Sequence, residues 1–297
     1  MKFIKQSISD LILTDPRVLL LRLLRKLKLI SWHAAAIQRI ARRFAYYDFG
    51  LQAACSEASA LGYKAITAIE FGVAGGSGLK ALAIAARNCE EIFGIRVQVI
   101  GFDSGEGMPG HQGYQDAPHM WSQGDFKMER NILRKALAKQ AQVILGNVSE
   151  TVEWWLLRQT SSQGGASSQY PSSSESDFYP DLLEPEVKID FDLPIAFVAI
   201  DLDYWSSTAS ALRILRSPNV LPRVWCYFDD LDTISTQTGE WLAIDQFNSS
   251  EEGRFLSRCT LSSPSWVNWD HKVMLLHSYG HPKYTEPLFK NLQLPLT

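Results

Sequence analysis

Ile66-Thr-Ala-Ile-Glu70-Phe-Gly72-Val-Ala-Gly75-Gly76-Ser-Gly78 is a short apolar run that ends in an acid and passes into a glycine-rich turn. A helical stretch, Leu79–Ile92, follows directly. Glycines take positive φ and let the backbone come close to a ligand. The first N–H groups of the following helix have no partner within it and face the same space. The stretch predicts a strand, a tight turn and a helix, with a ligand at the strand's carboxyl end.

Four more apolar runs share this form: Val97–Asp103, Ala141–Asn147, Ile195–Leu202 and Arg223–Asp230. They lack strict alternation, as expected of parallel strands covered on both faces. Helical stretches separate them, which means βαβ units. Ser257–Leu261 and Lys272–Ser278 read as a late antiparallel pair. The expectation is an α/β fold with a doubly wound, mostly parallel seven-stranded sheet and additional N-terminal helices.

Residues 1–43 hold ten Lys/Arg and two Asp/Glu, a balance of +8, so the remainder carries −11. Residues 1–45 therefore read as a basic amphipathic helical segment, able to pack on the main domain, on a second subunit or on a membrane surface. Residues 46–297 read as the main domain. A polar, flexible insertion is expected at 160–190, where residues 160–177 contain eight serines. Cys55, Cys89, Cys226 and Cys259 lie far apart, with no zinc or redox spacing. No apolar run reaches membrane-span length and the start lacks a cleavage signature, so a cytoplasmic location is expected. A net charge of −3 gives no reason to expect nucleic-acid binding.

A dinucleotide site would want its glycines directly after the strand and an acid about 20 residues on. Here the glycines start two residues after Glu70, and the next strand-end acid is Asp103. An acid at the first strand's end repels a pyrophosphate and suits a cation. S-adenosylmethionine carries a sulfonium and an ammonium, and Asp103 is placed for its ribose diol. Two further strands end in carboxylates, Asp201-Leu-Asp203 and Asp229-Asp230. Neighbouring strand ends bring such acids together, and a divalent cation such as Mg²⁺ relieves their repulsion. His111 and His119 follow Asp103 in a Gly/Pro-broken segment and are candidate bases, since histidine titrates near neutrality.

Phe102-Asp-Ser-Gly-Glu-Gly-Met-Pro109, Ile200-Asp-Leu-Asp-Tyr-Trp-Ser-Ser-Thr208, Phe228-Asp-Asp230 and Gly146-Asn-Val-Ser-Glu-Thr151 are similar to stretches of class I methyltransferases, within them the macrocin O-methyltransferase family. The resemblance spans roughly residues 66–232. It implies S-adenosylmethionine at Glu70, Gly72, Gly75, Gly78, Asp103 and Asn147, and a divalent metal at Asp201, Asp229 and Asp230, with Asp201 also in the catalytic set. It implies methyl transfer to a hydroxyl of a small, sugar-like or natural-product molecule. Gly105 and Leu231 stand where that family has aromatics, and Leu221-Pro-Arg-Val224 replaces a glycine-rich approach to the last acidic strand. A non-catalytic binding protein and a nicotinamide-dependent oxidoreductase remain alternatives, and self-association is open.

Overall fold

The computed structural model describes residues 44–163, 179–231, 235–250, 253–259 and 272–288. The N-terminal segment 1–43 and the serines of 164–178 lie outside these. Helix α1 (Ala45–Ala60) precedes strand β1 (Ala65–Phe71), followed by α2 (Ser77–Phe93) and β2 (Arg96–Asp103). Next come α3 (Arg130–Leu137), β3 (Gln142–Leu145), α4 (Val148–Gln163) and β4 (Asp181–Leu182). The second half holds β5 (Ile195–Ile200), α5 (Trp205–Leu212), β6 (Val220–Phe228), α6 (Gly239–Ser250), β7 (Arg254–Arg258) and β8 (Val273–Ser278).

The sheet order is β4-β3-β2-β1-β5-β6-β8-β7. Strands β1, β2, β3, β5 and β6 run parallel, while β8 is antiparallel to β6 and β7. This is the expected doubly wound, mostly parallel arrangement, with a late antiparallel pair whose first strand, Arg254–Arg258, starts three residues before the expected Ser257. The expected seven strands become eight, which corrects the count. The addition is β4, within the stretch read as a serine-rich insertion. Its two residues pair antiparallel with Ile144 and Leu145 at the open edge of β3. A strand so short has no periodicity to read. Gln142 anchors this region, its amide donating to the carbonyls of Glu184 and Val187.

Each face of the sheet has its own core, which is why the central strands are apolar throughout. Ile66 and Ala68 of β1 join Leu51, Ala54, Leu79, Leu82 and Leu133 from α1, α2 and α3. Ile69 and Phe71 join Trp155, Leu212, Ile244 and Phe247 from α4, α5 and α6. All six residues of β5 are buried. Burying one such Leu or Phe contributes about 1.5–3 kcal/mol. Arg223, one of the departures noted above, is held by the Glu57 carboxylate of α1 at 3.0 Å and donates to the Tyr284 carbonyl. It fastens α1 to the antiparallel end of the sheet.

Candidate active site at the carboxyl edge of the sheet

Strands β1, β2, β3, β5 and β6 all deliver their carboxyl ends to one edge, and the expected residues lie along it. The β1 turn is fitted tightly against β5. Gly72 has φ +83°, and a Cβ there would stand 1.8 Å from the Asp201 carbonyl oxygen. The Asp201 N–H donates to Phe71 O at 3.0 Å. No side chain fits at Gly72, so the strand-end acid of β5 is brought directly beside the β1 turn. Gly76 caps α2 with φ +76° and no side-chain bond. Gly75 is exposed on the same turn.

Glu70 is 2% exposed. Its Oε1 accepts from the Tyr47 hydroxyl of α1 at 2.7 Å, while Oε2 has no hydrogen-bond partner among the described residues. Burial pushes the carboxyl up to about 8, against the lowering effect of the Tyr47 bond and with the charges of Asp103 and Asp229 adding to it. Gly78 leaves the room Glu70 needs, since a Cβ there would stand 2.0 Å from Oε1. A buried carboxylate oxygen without a donor suits a cationic ligand group.

Asp103 reaches across to the β1 turn and also closes on its own loop. Oδ2 accepts from Val73 N–H at 2.8 Å and Ala74 N–H at 2.9 Å, and Oδ1 from Gly105 N–H at 2.6 Å. A carboxylate has about four acceptor positions, so three are taken by backbone. Gly105, where the resembling family has an aromatic, has φ +75°. Asn147 is exposed at the end of β3, its Oδ1 accepting from Ser149 N–H and Oγ at 2.9 and 2.8 Å. It caps α4 in this structure.

Asp201, Asp229 and Asp230 come together, each offering an oxygen within 4.8 Å of the others. Asp229 Oδ1 accepts from the Tyr227 hydroxyl at 2.5 Å, and its carbonyl from Lys272 Nζ. Asp230 N–H donates to Glu240 Oε2 at 3.0 Å. Asp201 keeps an exposed edge although protein packs densely around its other sides. That packing, and then the charges of Asp229, Asp203, Asp230 and Glu240, raise its carboxyl well above the usual range. Burial, the Asp230 charge and a hydrogen bond with Asp230 push Asp203 up to about 9. Glu240, fully buried, is raised by burial and by Asp230, and its Oε1 has no hydrogen-bond partner among the described residues. Three carboxylates backed by a buried fourth carboxyl form an oxygen-donor set fit for a hard divalent cation.

His111 and His119 are both exposed on the segment between β2 and α3. Among the described residues, neither hydrogen-bonds to any of these acids. Tyr46, Tyr47, Tyr227 and Glu240 complete the edge and were not singled out in the sequence. The ring of Tyr46 stacks on Tyr227 at 3.9 Å. Adjacent tyrosines opening the helix before β1, and an acid in the first turn after the Asp229-Asp230 pair, were the only available signals.

No protein-family model matches the chain, and no curated protein matches it either. Among solved structures it is similar to CalS11, a calicheamicin methyltransferase, at 20% identity over 81% of both chains with a TM-score of 0.47. It is similar to the O-methyltransferase NovP at 14% identity over 76% of this chain and 77% of that one, TM-score 0.46. An O-methyltransferase from Bacillus cereus in complex with SAH is 14% identical, covering 92% and 96%, TM-score 0.40. These likenesses are too distant to transfer a substrate or a residue role. No described helix is long and apolar enough to cross a membrane.

Proposed function

We propose that this protein is an S-adenosylmethionine-dependent methyltransferase acting on a hydroxyl of a small molecule, with a divalent cation such as Mg²⁺ at Asp201, Asp229 and Asp230. The observation that carries this is the meeting of the glycine turn, flanked by Glu70 and Asp103, with the three-carboxylate cluster on adjacent strand ends. A bound cation supplies a lowered pKa to an acceptor oxygen, and S-adenosylmethionine supplies the methyl group.

The chain's own residues do the rest. Glu70, with an oxygen that no described residue partners, receives a cationic group beside Gly78. Asp103 shapes the turn through Val73 and Ala74 and keeps one lone-pair direction for a ribose hydroxyl. Gly72 lets the β1 turn approach Asp201, so that the two halves of the site share one space. Aligning acceptor and donor at about 3 Å provides much of the acceleration in such a transfer. Asp203 follows Asp201 in the same turn, at φ +61°, and orients that acid, which leaves the exposed His111 and His119 as the candidate groups to take the acceptor's proton. A cytoplasmic setting accords with the absence of any disulfide among the four cysteines.

Calorimetric titration with S-adenosylhomocysteine, with and without Mg²⁺, tests the reading. Wild type is expected to bind, Asp103→Ala to bind at least about tenfold more weakly, and Asp229→Ala to lose the Mg²⁺ heat. A folded wild type that binds neither would leave the non-catalytic alternative in its place.

A further inference from the structure

Asp116 closes a short 3-10 turn, Tyr114–Asp116, in the segment between β2 and α3, and is 0% exposed. Among the described residues no cation pairs with it. Its oxygens are instead taken by neutral donors. Oδ1 accepts from Ser206 N–H at 2.8 Å, and Oδ2 from Ser206 Oγ at 2.9 Å and Gln112 N–H at 2.6 Å. Ser206 stands in the first turn of α5, whose own N-cap residue, Tyr204, makes no side-chain cap bond. The helix's open N–H is thus satisfied by a carboxylate ninety residues upstream, where the helix dipole favours negative charge.

The stretch that this contact holds is strained. Between the end of β5 and the start of α5, Asp203 has φ +61°, a conformation L residues disfavour. Tyr204 N–H donates to Leu202 O across a tight turn. One end of the turn is fixed by Asp201 N–H on Phe71 O, and the other by Asp116 on Ser206. A second tie, Tyr204 Oη to Trp121 O at 3.4 Å, joins the same two pieces. The segment that holds Asp116 begins at Asp103, so it crosses from the cofactor side of the edge to the acid side.

We propose that Asp116 is a positioning residue: it fastens residues 104–126 to α5 and thereby holds the Asp201–Asp203 turn in cation-binding geometry. The second half of this statement rests on Asp201 being a cation ligand, while the first does not. The test uses the full chain and Asp116→Ala, Asp116→Asn and Ser206→Ala, with Mn²⁺ and S-adenosylhomocysteine as the titrants and amide hydrogen exchange as an independent readout. Asp116→Ala is expected to raise exchange in 110–126 and 201–208 at least about tenfold, and to weaken Mn²⁺ about tenfold. Its S-adenosylhomocysteine affinity is expected to stay within about threefold. Asp116→Asn, which keeps one acceptor, and Ser206→Ala are expected to fall between. Wild-type exchange in a folded Asp116→Ala overturns the proposal. So does an exchange increase spread evenly over the sheet, which marks a general stability role. If wild-type protein binds no Mn²⁺, the cation reading fails by itself, and local exchange alone decides whether Asp116 fastens the segment.

Discussion

On the Glu70 side of the sheet edge, Asp103 gives its carboxylate to three backbone N–H groups and Tyr47 ties Glu70 to α1. On the Asp201 side, five carboxyl groups from two strand ends and α6 face one another. The first half is organised by hydrogen bonds the protein supplies to itself. The second stores like-charge repulsion that only protons or a cation can relieve. The difference teaches that the turn is shaped in advance of its ligand, while the acid cluster depends on what it binds. It also places the weak point of the first half at Glu70 Oε2, which has no donor among the described residues.

The largest expected effect comes from breaking the contact between the halves. Gly72→Ala would put a methyl 1.8 Å from Asp201 O at a position with positive φ, and is expected to cost more than about 4 kcal/mol in denaturant unfolding. Next is the pH dependence of the first half. Glu70 is held at about 8 in the fold, above its unfolded value near 4.5. The protonated carboxyl is therefore favoured by folding. That stability is complete below about pH 4.5 and fades as pH rises through about 8. Glu70→Gln is expected to flatten this part of the stability–pH curve. In wild type, a cationic ligand at Glu70 should release a proton near pH 7, seen as a buffer-dependent binding heat. The second half is sharpened by Tyr227→Phe, which removes the donor to Asp229 Oδ1 and is expected to weaken cation binding about tenfold with little effect on S-adenosylhomocysteine. The smallest effect is that of Tyr47→Phe, about 1 kcal/mol of stability, with Glu70 rising further because its one donor is gone.

Arg223 shows how a departure from a family pattern can be structural. It answers Glu57, which lies 166 positions earlier in the chain, and a one-dimensional reading has no means of pairing them. Asp116 is similar: in the sequence it is one polar residue in a loop, and its place beneath α5 depends on how the segment after β2 folds back. Asn147 carries a helix-cap pattern in its own neighbours, Ser149 and Thr151, and the structure uses it so.

The sequence by itself determined the fold class, the glycine turn and the acids at the strand ends. These are local: apolar runs mark buried strands, glycines mark a turn, and parallel strands send their ends to one edge. Only the tertiary structure decided that Asp103 binds the β1 turn and that three aspartates share one space. Only it decided that β4 closes the sheet and that tyrosines of α1 and β6 hold Glu70 and Asp229. Each of these is a contact between residues distant in the chain, set by how helices pack on the sheet and by where burial leaves a charge without water.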